Sequence, residues 1–165
     1  MGDSTCMVDL VKYFLEFIKD ESCGKCVPCR EGIPRMIEIV TAISEGKGKE
    51  EDLKTLEDLA NMVKNASLCG LGQTAPNLTL CTLRNCREEY EAHIHRHKCP
   101  ARACRALIRF HIDQKKCKGC GLCAKVCPVG AITGENKQAH VIDETACTRC
   151  GACYEECKFD AVVKE

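Results

Sequence analysis

The sequence predicts an α+β chain in which a four-helix bundle precedes a small, internally duplicated domain. Three observations carry that expectation. Apolar residues recur at helical spacing from Met7 to Ile94. The run Cys117-x-x-Cys120-x-x-Cys123-x-x-x-Cys127 returns with identical spacing as Cys147, Cys150, Cys153 and Cys157. Two further cysteine groups interrupt or follow the helical region. The expected boundaries are a helical domain over 1–98, a linker over 99–110 that carries two cysteines, and the duplicated domain over 111–165.

Composition narrows the chemistry. The chain has 165 residues and 17 cysteines, with no tryptophan, three tyrosines and four phenylalanines. Neither a secretion signal nor an apolar run of membrane-spanning length is visible. Cysteine clusters in reducing compartments serve metals or catalysis more often than disulfides, so a cytoplasmic location is expected. Lysine and arginine number 24 against 24 aspartates and glutamates. That balance speaks against a general nucleic-acid binder.

The elements follow in order. Ser4 is expected to cap a first helix with Met7, Leu10, Val11, Phe14, Phe17 and Ile18 on one face. A second helix is expected after Arg30, with Pro34 in its first turn and Ile33, Met36, Ile37, Val40 and Ile43 as its stripe; Gly46 stops it. Leu53, Leu56, Ala60 and Val63 mark a third helix. Thr74 and Pro76 open a fourth, running through Leu80, Leu83, Tyr90 and Ile94. Short connections between amphipathic helices imply a bundle.

Beyond the helices the cysteines dominate. Spacings of two, two and three residues suit a 4Fe–4S cubane, whose face three closely spaced thiolates can wrap only on a tightly turned backbone. Gly119, Gly121 and Gly151 supply the turns. Zinc fits these runs poorly, because structural zinc takes its ligands as separated pairs. In chains with two such runs the fourth cysteine of each ligates the other cluster. One cluster is therefore assigned to Cys117, Cys120, Cys123 and Cys157, the other to Cys147, Cys150, Cys153 and Cys127. Ile112-Asp113 also recurs as Ile142-Asp143, which marks an internal duplication. The domain over 111–165 is thus expected to be a bacterial-type two-cluster ferredoxin.

The helical region holds a third set. Cys23-x-x-Cys26-x-x-Cys29 lies between the first two expected helices, and Cys69 lies between the third and fourth as a distant fourth ligand. On these motifs the helical part resembles the cluster-binding domain of the flavoprotein subunit of respiratory complex I. With the ferredoxin added, the chain is similar over nearly its whole length to the C-terminal part of the diaphorase subunit of NAD(P)-linked and electron-bifurcating hydrogenases and formate dehydrogenases. The resemblance implies that the bundle cluster takes electrons from FMN. It implies as partners a flavin/NAD(P)H module, a hydrogenase-type or formate dehydrogenase catalytic subunit, and a small thioredoxin-like 2Fe–2S subunit. It also implies that the FMN- and NAD(P)-binding part lies outside this sequence, in a longer chain or a partner. Cys157 departs from the pattern by preceding Lys158 where Cys127 precedes Pro128.

Three smaller features remain. Cys99 and Cys104 make half of a zinc site, Cys6 is a free third cysteine, and a histidine completes the set, His93 first and His95 as the alternative. Such a zinc would be structural, joining the first helix to the entrance of the ferredoxin. Cys81 and Cys86 are read as buried helix packing. Gly70-x-Gly72-x-x-Ala75 imitates a dinucleotide fingerprint but follows a helix, not a strand, and is read as a tight turn past the cluster.

The expected function is electron transfer through three 4Fe–4S clusters, with no nucleophile–base pair in view and no catalysis by the chain alone. Two other classes fit less well. A nucleic-acid-binding iron–sulfur protein lacks the positive charge and stacking aromatics. An autonomous flavin-dependent oxidoreductase lacks a cofactor motif.

Overall fold

The computed structural model describes residues 5–165 and divides them into two compact units, ending and beginning at Leu107 and Ile108. Ser4 lies outside the described residues. No helix among those described is long and apolar enough to cross a membrane.

The first unit is helical. α1 (Met7–Glu21), α2 (Val27–Ser44) and α3 (Glu50–Ala66) are long; α4 (Gly70–Thr74), α5 (Asn77–Asn85) and α6 (Arg87–His95) are short. The α3 stripe is as expected, with Leu53, Leu56, Ala60 and Val63 all buried. That of α1 is rotated. Val8, Val11, Leu15 and Ile18 face the core, while Phe17 is 52% exposed. The helix is apolar on more than one side, so periodicity alone does not choose the face that its neighbours cover.

α2 begins earlier than expected. Pro28 stands in its first turn, where a fixed φ and a missing N–H cost nothing, and Pro34 is inside the helix. This places Cys29 on α2 rather than in a loop. The expected fourth helix is also corrected. It is broken at Cys86, whose φ of −126° and ψ of 30° leave the helical region between α5 and α6. The break is held by a buried hydrogen bond of 2.8 Å between Thr82 Oγ1 and Tyr90 Oη. Cys99, Cys104 and Leu107, in the stretch read as a linker, pack into this unit's core.

The second unit is two interlocked halves. β1 (Phe110–Ile112) pairs antiparallel with β4 (Val162–Lys164), and β2 (Ile132–Thr133) with β3 (Val141–Ile142). Two short helices, α7 (Leu122–Val126) and α8 (Ala152–Glu155), follow Gly121 and Gly151. Those glycines have φ of +74° and +85°, left-handed values that a side chain would strain. The halves exchange hydrogen bonds. Asp113 N–H donates to Ala161 O at 2.7 Å, and Asp143 N–H donates to Ala131 O at 2.8 Å. Ile112, Ile132, Ile142, Ala161 and Val162 bury their side chains between them, with Cys123 and Cys153.

Candidate metal centres

Three groups of cysteines are gathered by these elements. In the first unit, Cys23 precedes α2, Cys26 caps it and Cys29 lies in its first turn, while Cys69 caps α4. Helix ends are suited to thiolates, since the first-turn N–H groups are unpaired and carry partial positive charge. Cys26 is held below the usual thiol range, first by the backbone of Leu68 and then by that of Cys29, with the Ser67 hydroxyl adding to them. Leu68 is the residue before Cys69, so the α2 group and the α3–α4 connection meet here. Gly72 permits the approach. A Cβ built on it would stand 2.5 Å from Ser67 Oγ and 3.4 Å from Cys29 Cβ. Gly72→Ala is therefore expected to destabilise the first unit by about 1–3 kcal/mol, the usual range for overpacking. Loss of helical circular dichroism at a lower temperature than in the parent chain checks it. The segment Gly70–Thr74 is a short helix that follows α3 and not a strand, where the sequence suggested a tight turn.

In the second unit, Cys117, Cys120, Cys123 and Cys157 line one cavity together with His140 and Phe159. Burial pushes the Cys123 thiol up, and the charges of Cys117, Cys120 and Cys157 add to the effect. The second run repeats this pattern. Burial, then Cys147 and Cys150, push Cys153 up to about 11. Crowded, buried thiols of this kind need a cation to become thiolates together. Backbone donors are already aimed at the sulfurs, with Ala131 N–H 3.3 Å from Cys127 Sγ and Arg149 N–H 3.4 Å from Cys147 Sγ. Arg149 adopts a φ of +57° at the position where the first run has Gly119. A left-handed arginine gives no sequence signal. Lys158 does not change the turn after Cys157. Asp160 N–H bonds to Cys157 O as Gly130 N–H does to Cys127 O, at 3.4 and 3.3 Å.

The third group is Cys6, His93, Cys99 and Cys104, all buried, with ligand atoms within 4.8 Å of one another. His93 Nε2 lies 3.4 Å from Cys6 Sγ and 3.3 Å from Cys104 Sγ, and the two sulfurs are 3.5 Å apart. Tetrahedral zinc bonds of about 2.0–2.3 Å imply ligand–ligand edges of about 3.6–3.8 Å, which this tetrad approaches. His93 Nδ1 is 2.7 Å from Glu89 O and must donate to it, leaving Nε2 with a lone pair toward the sulfurs. The Glu89 carboxylate accepts from Met7 N–H at 3.0 Å, tying α1 to α6 beside Cys6. Ala103 N–H points at Cys99 Sγ from 3.4 Å. His95 is exposed, because two helical residues apart means about 200° of rotation. Cys6, His93, Cys99 and Cys104 all belong to the first unit.

Cys81 is exposed and accepts from Asn85 Nδ2 at 3.4 Å, and Cys86 is half-buried, so the buried-packing reading fails for Cys81.

Comparison with known proteins agrees with the motif geometry. Residues 9–93 match the model of the NADH-ubiquinone oxidoreductase-F iron–sulfur binding region. The chain belongs to that family. Residues 110–133 and 140–163 each match a 4Fe–4S binding domain. Along all 165 residues the chain is 52% identical to the NADP-reducing hydrogenase subunit HndC of Solidesulfovibrio fructosivorans, covering 34% of that protein. It is 42% identical over 98 residues to an NADH-quinone oxidoreductase subunit of Streptomyces coelicolor, 59% of this chain and 22% of the relative. The NAD-reducing hydrogenase HoxS subunit alpha of Cupriavidus necator is 35% identical over 94 residues, 57% of this chain and 16% of the relative. The chain thus spans about a third or less of each of these relatives. As a member of the oxidoreductase-F iron–sulfur family with an added ferredoxin-type domain, it is an iron–sulfur electron-transfer chain.

Proposed function

We propose that the chain is the relay segment of a multi-subunit NAD(P)-linked oxidoreductase, passing electrons one at a time between a flavin/NAD(P)H module and a hydrogenase-type, formate dehydrogenase or ferredoxin partner. One observation carries this reading: a single relative named as an NADP-reducing hydrogenase subunit matches the helical set and both ferredoxin runs together. The small thioredoxin-like 2Fe–2S subunit is a further candidate neighbour.

In this reading Cys23, Cys26, Cys29 and Cys69 hold one cubane. Cys117, Cys120, Cys123 and Cys157 hold a second, and Cys147, Cys150, Cys153 and Cys127 a third. Bound cubanes supply reversible one-electron storage. The protein's own contribution is burial and directed N–H groups, which exclude water and set how readily each site accepts charge. Cys6, His93, Cys99 and Cys104 hold a structural zinc. Their donor set of three thiols and an imidazole, with no open position, suits it.

Anaerobically reconstituted chain is expected to contain about twelve irons and about twelve sulfides. A plateau near eight irons would overturn the three-cluster relay.

A further inference from the structure

The helices that deliver ligands to the first centre both end on a serine. Ser22 closes α1 with φ −71° and ψ 131°, one residue before Cys23. Ser67 closes α3 with φ −73° and ψ 143°, two residues before Cys69. The matching backbone turns each side chain back toward the cysteines of α2.

Ser22 Oγ lies 3.2 Å from Cys29 Sγ and accepts the N–H of Gly24 at 3.3 Å. Once Cys29 is a ligand it has no proton, so the donor in this pair is the serine. The Gly24 bond occupies an oxygen lone pair and leaves the hydroxyl proton for the sulfur. Ser67 is only 4% exposed, and its Oγ has no hydrogen-bond partner among the described residues. Leaving a buried hydroxyl without a partner is costly, so something must compensate for it. It stands against Gly72 on the side where Cys29 packs, and the Gln73 side chain grips its carbonyl at 3.1 Å.

We propose that Ser22 and Ser67 are potential-setting residues for the helical unit's cluster, Ser22 donating its hydroxyl proton to Cys29 Sγ and Ser67 donating its otherwise unpartnered hydroxyl to the cluster beside Cys29. The inference rests on the ligand assignment proposed above. Reduction adds an electron to the cluster, and hydrogen bonds to a more negative sulfur are stronger. The donors therefore favour the reduced state and raise the potential. In the ferredoxin-type unit, Cys127 and Cys147 take their bonds from backbone N–H groups. Side-chain hydroxyls give the helical site an adjustment that sequence change can add or remove.

The test is an anaerobic redox titration of the reconstituted full chain followed by electron paramagnetic resonance. The helical cluster's signal is the one lost in Cys69→Ala. Ser22→Ala and Ser67→Ala should each lower the reduced-to-oxidised ratio of that cluster at fixed potential by about three- to tenfold, or about 30–59 mV for one electron. Signals from the other two clusters serve as an internal reference and should not move. Ser22→Thr, which keeps a hydroxyl, should restore the parent potential. Pulsed measurements in deuterated water should find an exchangeable coupling that weakens in the alanine variants. A purely helix-ending role would change melting but neither the potential nor the coupling, and that result in Ser22→Ala overturns the proposal. Should Ser67→Ala fail to hold its cluster, the half-buried Ser22 decides alone. If Cys69→Ala removes no signal from the parent spectrum, the ligand assignment itself is wrong.

Discussion

Cys157→Ala is expected to cost the chain about four of its twelve irons, and Cys120→Ala combined with it is expected to cost no more. Two residues that close the same cluster cannot be lost twice. Cys157→Ala with Cys150→Ala should instead bring the count down to about four, because those two belong to different clusters. The repeated run predicts the crossed pairing, and the fold is consistent with it. Cys157 lines the cavity of Cys117, Cys120 and Cys123, and β4, which follows it, pairs with β1, which precedes Cys117. Iron counts of about eight for the first double variant and about four for the second support the crossed assignment. The reverse pattern would return each fourth cysteine to its own run.

Cys99→Ser should release zinc from the chain while leaving about twelve irons in place. The parent protein should keep about one zinc per chain through dialysis, as closed three-cysteine, one-histidine sites do. The tetrad joins Cys6 to Cys104, so a metal held there would close a loop of nearly the whole first unit and restrict its unfolded chain. Without metal, burial pulls the His93 imidazole down, but the hydrogen bonds it donates to Cys6, Cys99 and the Glu89 carbonyl outweigh it and raise it to about 10. Burial raises the Cys104 thiol behind the larger effect of its Cys6 and Cys99 neighbours. Zinc binding there would have to displace these protons, so its retention against a chelator should weaken steadily as pH falls below about 10. Elemental analysis of parent and variant decides: zinc absent from the parent, or full zinc in Cys99→Ser, removes the site.

The parts of this molecule that the sequence discloses are those fixed by short-range geometry. Cysteine spacing, the left-handed glycines at 121 and 151, and the single-faced α3 need no tertiary partner to be read. The face of α1 was illegible because Val8 and Leu15 compete with Leu10 and Phe14 until neighbouring helices choose between them. The break at Cys86 carries neither glycine nor proline. His93 separates from His95 only when the phase of α6 is known, with Tyr90 and Ile94 inward. Ser22 carries no signal in the sequence, since its hydroxyl's approach to Cys29 depends on how the helices meet.

The exchanged hydrogen bonds of the second unit also set an order in time. A ribosome delivers Ala131 before Asp143, so the loop that leads into Cys147 finds its partner already made. Asp113, which leads into Cys117, must wait for Ala161, 48 residues later in synthesis. Two halves with the same cysteine spacing therefore gain their partners at different points of synthesis. The loop made first is the last to receive its partner strand.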